Sequence, residues 1–101
     1  MKRVLLRAVG PGLSQFGVGG VLTDPRLQLF SGTQMLQAND DWGGGAALAA
    51  TFAQVGAFAL PAGSKDAALV ATLPPGTYTA QVDGADGTRG IALVEVYEAA
   101  P

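Results

Sequence analysis

The sequence predicts an all-β fold: an antiparallel two-sheet β-sandwich, jelly-roll-like, with six to eight strands and one short helical insertion near residues 46–56. Three observations lead to this class. Residues 66–98 contain three strand-like apolar stretches separated by Pro-Pro-Gly and Asp-Gly sequences. Helical spacing of apolar residues occurs in only one place along the chain. A chain of 101 residues can enclose one two-layer core, so we expect a single domain over residues 1–101.

The first half of the chain is predicted to form three strands. Residues 3–9 form the first, which ends at a Gly-Pro-Gly sequence because proline cannot donate to a β-ladder. Residues 26–30 and 34–39 are short apolar stretches separated by Ser-Gly-Thr, which predicts a hairpin. Within the first of these stretches, Leu27 and Leu29 are expected to point into the core, and within the second, Leu36 and Ala38 are expected to share one face.

The helical insertion is predicted from the spacing of three apolar residues. Leu48, Phe52 and Val55 recur at i, i+4 and i+7, which places them on one face of a short helix. Gly56 follows, and glycine is the residue that most readily adopts the left-handed conformation at a helix C-terminus.

The last third of the chain predicts three more strands joined by tight turns. Pro75-Gly76 suits the centre of a type II turn. The Asp-Gly pairs at 83–84 and 86–87 are typical of a hairpin connection. The final strand, within residues 91–98, is apolar on both faces, so we expect it to be central in its sheet.

Composition excludes several classes of function. The chain has no cysteine and no histidine, so it lacks a thiolate nucleophile and the commonest general base. We therefore expect no enzyme, and a hydrolase would need a base that is absent. The net charge is −2 with 14% charged residues, which leaves no basic patch for nucleic acid. No apolar segment is long enough for membrane insertion. A surface with so little charge is expected to be covered by a neighbouring domain or another copy.

An acidic cluster is the best candidate for a metal site. Asn39, Asp40 and Asp41 are consecutive, and Asp24 precedes the strand that pairs with theirs, so four oxygen-bearing side chains could serve Ca²⁺. The alternative is structural: Asp41 caps the following helix, and Asp40 or Asn39 forms an Asx turn.

Three aromatic residues are candidates for ligand binding. Trp42, Tyr78 and Tyr97 could stack on a sugar if their rings are exposed. For Trp42 the alternative is a place in the core beside the helix.

The first strand is the candidate edge for assembly. Arg3, Leu5 and Arg7 share one face, and an unpaired edge there could donate or accept a strand of a neighbour. Glu95, on the final strand, is expected to form an ion pair with Arg3 or Arg7.

Two segments carry a family resemblance. DPRLQLFSGTQMLQANDDW, together with LPPGTYTAQVDGADGTRGIALVEVY, resembles the pre-peptidase C-terminal domain family and its relatives. The opening RVLLRAVGPGL resembles the start of a related module that recurs in tandem in bacterial surface proteins. The likeness covers roughly residues 3–98. It implies an extracellular β-sandwich module, and it implies calcium at Asp24, Asn39, Asp40 and Asp41.

These features together predict a non-catalytic, extracellular or cell-surface module that acts in adhesion or self-assembly through low-charge faces and sheet edges. Its expected partners are other copies of itself or neighbouring domains of a larger surface protein, and any signal peptide is expected to lie outside this sequence. The alternative is a calcium-assisted carbohydrate-binding module with a glycan as its partner. No cofactor other than calcium is expected.

Overall fold

Two three-stranded antiparallel sheets and one short α-helix make up the fold, which confirms the predicted all-β sandwich. The computed structural model describes residues 1–99. The first sheet has the order β4-β1-β6 and the second sheet the order β3-β2-β5. The elements are β1 (Lys2–Val9), a 3-10 helix (Pro11–Phe16), β2 (Pro25–Ser31), β3 (Gln34–Asn39), α1 (Ala46–Val55), β4 (Ala67–Leu73), β5 (Thr79–Gly84) and β6 (Leu93–Ala99).

The first sheet is the middle layer of the molecule, because both of its faces are covered. On one face, Leu5 and Val9 of β1 pack with Trp42 and with Phe52 of α1. The other face packs against the second sheet through a separate apolar cluster, whose buried members are Leu6, Ala8, Leu27, Leu29, Ala67, Leu69 and Ala71. Both faces of β1 are therefore buried along most of the strand.

The predicted roles of the first and last strands are reversed. The prediction that Arg3, Leu5 and Arg7 lie on an assembly edge is wrong, because β1 pairs with β4 on one side and with β6 on the other. The prediction that the final strand is central is also wrong, because β6 is at the edge of the first sheet. The charge of Arg7 predicts an exposed face on β1, but Arg7 is buried. The apolar Val94 and Val96 predict that β6 is buried, but both are exposed.

The hairpin and the helix are found where the sequence predicts them. The strands β2 and β3 pair antiparallel, with a bulge between Leu29 and Phe30. Helix α1 ends at Gly56, whose φ of 77° is the left-handed cap expected there. Leu27 and Leu29 of β2 are buried as predicted, whereas Leu36 and Ala38 lie on β3, an edge strand that is exposed along most of its length.

The predicted turns after β4 and β5 are crossovers between sheets. β4 and β6 belong to the first sheet, whereas β5 pairs with β2 in the second. The Pro-Pro-Gly and Asp-Gly sequences therefore do not close hairpins. Gly76 is not among the glycines with positive φ, so the predicted type II turn is absent as well.

Two glycines make room for the segment that crosses the end of the first sheet. A Cβ atom on Gly10 would lie 2.0 Å from the carbonyl oxygen of Leu22, and one on Gly90 would lie 2.5 Å from the nitrogen of Leu22. Leu22 in turn donates a backbone hydrogen bond to the carbonyl oxygen of Ile91. Larger residues at either glycine would push this segment away.

Candidate interaction surface

The sandwich is open along the side formed by β5 and β6. The two sheets approach each other where β3 meets β4 and where β2 meets β1 and β4, whereas β5 and β6 scarcely approach each other. Because no part of residues 1–99 fills the gap between these two strands, the apolar interior of the sandwich is reachable from this side.

A cleft of about 340 Å³ occupies the gap. Leu6 and Val96 line it from the first sheet, and Leu29 and Ala80 line it from the second. The half-buried ring of Tyr78 stands at one end, with its hydroxyl donating to the carbonyl oxygen of Pro74. The wall is apolar, so the cleft suits an apolar side chain better than a polar small molecule.

The edge strand β6 carries the exposed apolar residues of this side. Val96 is 64% exposed, Val94 47% and Leu93 41%. Val96 lies opposite Leu6 of β1, and Leu6 belongs to the cluster between the sheets, so Val96 faces the cleft. Val94 shares that face because side chains alternate along a strand. We call Val94 and Val96, with the adjoining cleft, the open side.

The two carboxylates of β6 are neutralised within the protein. Glu98 pairs with Lys2 at the surface. Glu95 is 13% exposed and forms an ion pair with Arg7, as the sequence predicts. Its other carboxylate oxygen accepts a hydrogen bond from the Tyr97 hydroxyl, and this bond is the main cause of the raised pKa of Tyr97. The free edge of β6 therefore presents no uncompensated charge.

Arg7 is enclosed by groups that account for its charge. Its Nε donates to Glu95 over 2.8 Å, and its Nη1 donates to the Phe58 carbonyl oxygen over 2.7 Å. Nη2 is 2.8 Å from the same Glu95 oxygen without hydrogen-bond alignment, so charge alone holds it. The guanidinium also lies 4.7 Å from the ring centroid of Phe52 and 4.5 Å from that of Phe58. The face predicted for assembly is instead an internal ion-pair site.

The residues of the acidic cluster lie in different environments. Both ends of the Asn39 amide are occupied, since its nitrogen donates to the carbonyl oxygen of Asp41 and its oxygen accepts from the Ala68 nitrogen. Asp41 does not cap the helix, whose N-cap is Gly45. Within residues 1–99, no group of three or more acidic, histidine or cysteine side chains is arranged to hold a metal ion.

Asp24 is the member of the cluster with an unusual environment. Its Oδ1 is buried without a hydrogen-bond partner. Burial raises the pKa of this carboxyl above its ordinary value, and repulsion from Asp41, Asp40 and Asp86 raises it further, while Lys65 opposes the change. A carboxylate in this setting is held in its charged form at a cost in stability.

The three aromatic candidates lie in different places. Trp42 is in the core and 6% exposed, and its indole nitrogen donates to the Pro61 carbonyl oxygen, as the alternative interpretation held. Tyr78 lines the cleft, whereas half-buried Tyr97 lies on the other face of the first sheet beside Glu95. No common surface joins the three rings.

Sequence reasoning did not find one buried carboxylate that organises the end of the first sheet. Asp66 is fully buried, and one of its oxygens accepts from the backbone nitrogens of Gly10 and Gly12. Its other oxygen accepts from the Ser64 hydroxyl. An aspartate directly before an apolar strand was the available signal. Every oxygen of this carboxylate is used in holding a loop, so its role is structural.

The helices of the described region include none with the length and hydropathy needed to cross a membrane. Comparisons with protein-family models, with curated proteins and with solved structures found no match to this chain. The open side is therefore interpreted from its own geometry.

Proposed function

We propose that this chain is a non-catalytic, extracellular module that acts in adhesion or self-assembly, and that the open side is its working surface. The observation that carries the proposal is the exposure of Val94 and Val96 on a free sheet edge beside an apolar cleft. Exposed apolar side chains that adjoin unpaired backbone groups are typical of a surface that another chain covers.

The low charge of the chain supports the same function. Only 14% of the residues are charged, and the carboxylates of β6 already have partners inside the protein. Association through this side therefore does not require an unpaired charge to leave water, which would be costly. Placement outside the cell, in a bacterial surface protein, rests on the resemblance of the sequence to secreted modules.

Clustering of coated beads tests this function. Beads that display many copies of the chain strengthen a weak contact through multivalency. We expect wild-type beads to cluster, and beads that display the Val94→Lys/Val96→Lys double variant to stay dispersed. Thr79→Lys/Gln81→Lys is the matched control, since it adds the same charge to the exposed edge of β5. Its beads should cluster like the wild type.

Two results would overturn the proposal. Wild-type beads that stay dispersed at every coating density would exclude self-association as the function. Clustering that survives both lysines on β6, in a protein with an unchanged circular dichroism spectrum, would show that the open side is not the working surface.

A further inference from the structure

We infer that the occupant of the open side is a second copy of this chain, paired antiparallel through β6, with the two-fold axis at Val96. The inference rests on the proposed function and specifies its partner. Two three-stranded first sheets would then form one continuous six-stranded sheet, β4-β1-β6 followed by the same strands of the partner in reverse order. The contact is closed by its symmetry, so it produces a dimer.

The other three sheet edges are protected in ways that β6 is not. At the edge of β4, the Gln37 side chain donates to the Val70 carbonyl oxygen over 3.2 Å. The exposed side chains of β5 include the polar Thr79, Gln81 and Asp83, whereas those of β6 include Val94 and Val96. β3 meets its neighbour across a bulge, which disturbs a regular edge. β6 contains no lysine, proline or bulge, and such an edge is a ready template for pairing.

The length of β6 selects one register. A two-fold axis at Val96 pairs all seven residues of the strand, with Leu93 opposite Ala99 of the partner subunit. A shift by one residue would put the side chains of one copy on the wrong face of the sheet. A shift by two would leave residues at the ends of the described strand, 93–99, without partners among the described residues.

Charge selects the same register. With the axis at Val96, Glu95 of each copy lies opposite Tyr97 of the partner subunit, so each carboxylate faces an aromatic side chain and not a second carboxylate. Moving the axis to Glu95 would place the two Glu95 carboxylates directly opposite each other, which is unfavourable. Moving it to Val94 would place Leu93 opposite the nearly buried carboxylate of Glu95, whereas the full-length register places Val94 opposite Glu98 of the partner subunit, whose carboxylate is exposed and paired with Lys2. Only the full-length register pairs each Glu95 with a compatible side chain.

In the proposed dimer, the contact between the two copies of Val96 removes apolar surface from water. Val96 would lie against Val96 of the partner subunit at the mouths of the two clefts, and Val96 is the most exposed apolar side chain of β6. A seven-residue strand spans about 23 Å. Strand pairing alone therefore buries much less than the roughly 800 Å² per partner of a stable interface. We expect a weak dimer that forms at high local concentration.

Single cysteine variants test the register, since the chain has no cysteine of its own. Directly opposed residues of paired strands have Cα atoms about 4.5–5.5 Å apart, which fits a disulfide. Residues at position 94 of the two copies would be about 13 Å apart along the strands, too far to bridge. We expect Val96→Cys to form a dimer under mild oxidation at least about tenfold faster than Val94→Cys. Thr79→Cys on β5 is the control for random collision.

The outcomes separate this inference from the proposed function. A Val96→Cys dimer no faster than the Thr79→Cys dimer overturns the inference, and clustering of wild-type beads would then show that the proposed function stands without it. Faster bridging of Val94→Cys than of Val96→Cys also overturns the inference, since it requires another register. If wild-type beads fail to cluster, the proposed function itself fails. A circular dichroism spectrum identical to that of the wild type confirms that each variant is folded.

Discussion

Arg7 carries a positive charge into the interior of the first sheet, and its removal should cost much stability. Arg7→Ala would leave Glu95 without its cation and the Phe58 carbonyl oxygen without its donor, and it would empty the space between two aromatic rings. Breaking a buried ion pair by removing one partner typically costs about 3–5 kcal/mol. We expect a loss of this size in the free energy of unfolding, measured by urea denaturation at neutral pH.

Arg26→Ala is the matched control for Arg7→Ala. Arg26 also pairs with a carboxylate on a neighbouring strand, that of Asp83, but the side chains of both members of this pair are about half-exposed. Exposed ion pairs contribute little because water and salt screen them. The loss for Arg26→Ala should therefore be much smaller. Equal losses for the two variants would contradict the structural role assigned to the buried pair.

Asp24 should make stability depend on pH in the direction opposite to an ordinary paired aspartate. Its pKa is raised on folding from 3.8, so the folded protein binds the proton more tightly than the unfolded chain. The charged carboxyl is therefore unfavourable above the folded pKa, and this cost disappears below the unfolded pKa. We expect Asp24→Asn to be more stable than the wild type at pH 7. The difference should vanish as pH falls below about 3.8, as measured by thermal unfolding across that range.

Asp83→Asn should change the stability at neutral pH in the opposite direction to Asp24→Asn. The hydrogen bond from Arg26 holds the pKa of Asp83 below its ordinary value, so its charged form stabilises the fold. This stability is present above the unfolded pKa and is lost as pH falls through the folded pKa. Asp83→Asn should therefore be less stable than the wild type at pH 7. An Asp24→Asn variant that lost stability at pH 7 in the same way would show that the Asp24 carboxylate has a favourable partner, such as a bound cation.

At the scale of the elements, strand positions follow from local patterns, whereas strand pairing does not. Alternating apolar residues located all six strands, and the i, i+4, i+7 spacing located α1. The Pro-Pro-Gly and Asp-Gly sequences correctly marked where strands end. The same sequences permit either a hairpin or a crossover to the other sheet, because the choice depends on which distant strand is available for pairing. β5 pairs with β2, far away in the sequence.

The predicted positions of β1 and β6, at the edge and at the centre of the sheet, are reversed for a similar physical reason. A charged residue in a strand predicts an exposed face only when water solvates its charge. The charge of Arg7 is instead compensated by Glu95, which comes from the other end of the chain. The prediction of that ion pair was confirmed, but its consequence for strand order was not drawn from the sequence. β1 pairs with β4 on one side and with β6 on the other, which leaves β6 at the edge of the three-stranded sheet.

The candidate surface was the part least accessible to sequence reasoning. The cleft is lined by residues of β1, β2, β4, β5 and β6, and no local motif brings them together. The residues that the sequence singled out for chemistry, such as Trp42 and Asn39, are occupied by internal hydrogen bonds. The apolar residues that the fold leaves exposed on the open side are valines. The sequence alone does not distinguish a valine that is buried from one that is exposed.

At the scale of the whole molecule, the open side stays exposed because neither the helix nor the second sheet extends over it. Helix α1 and the segments around it cover the outer face of the first sheet, and the second sheet covers its inner face. The second sheet has six residues in β5 and six in β3, and it does not reach across to shield β6. An additional strand at β6 would give the first sheet the neighbour it lacks, and a second copy supplies one without any rearrangement of the fold.

Dimerisation through β6 should couple the thermal stability of the protein to its concentration. A partner that binds only the folded state stabilises it by mass action, so the midpoint of unfolding rises with protein concentration. For a weak dimer, raising the concentration from about 10 µM to about 1 mM should add roughly 1 kcal/mol, or about 4–8 °C in a domain of this size. Trp42, the single tryptophan, is buried in the core and reports unfolding by its fluorescence. The midpoint of Val96→Lys should stay constant over the same range, while that of Thr79→Lys should rise like the wild type. A wild-type midpoint that does not move with concentration would contradict assembly through this edge.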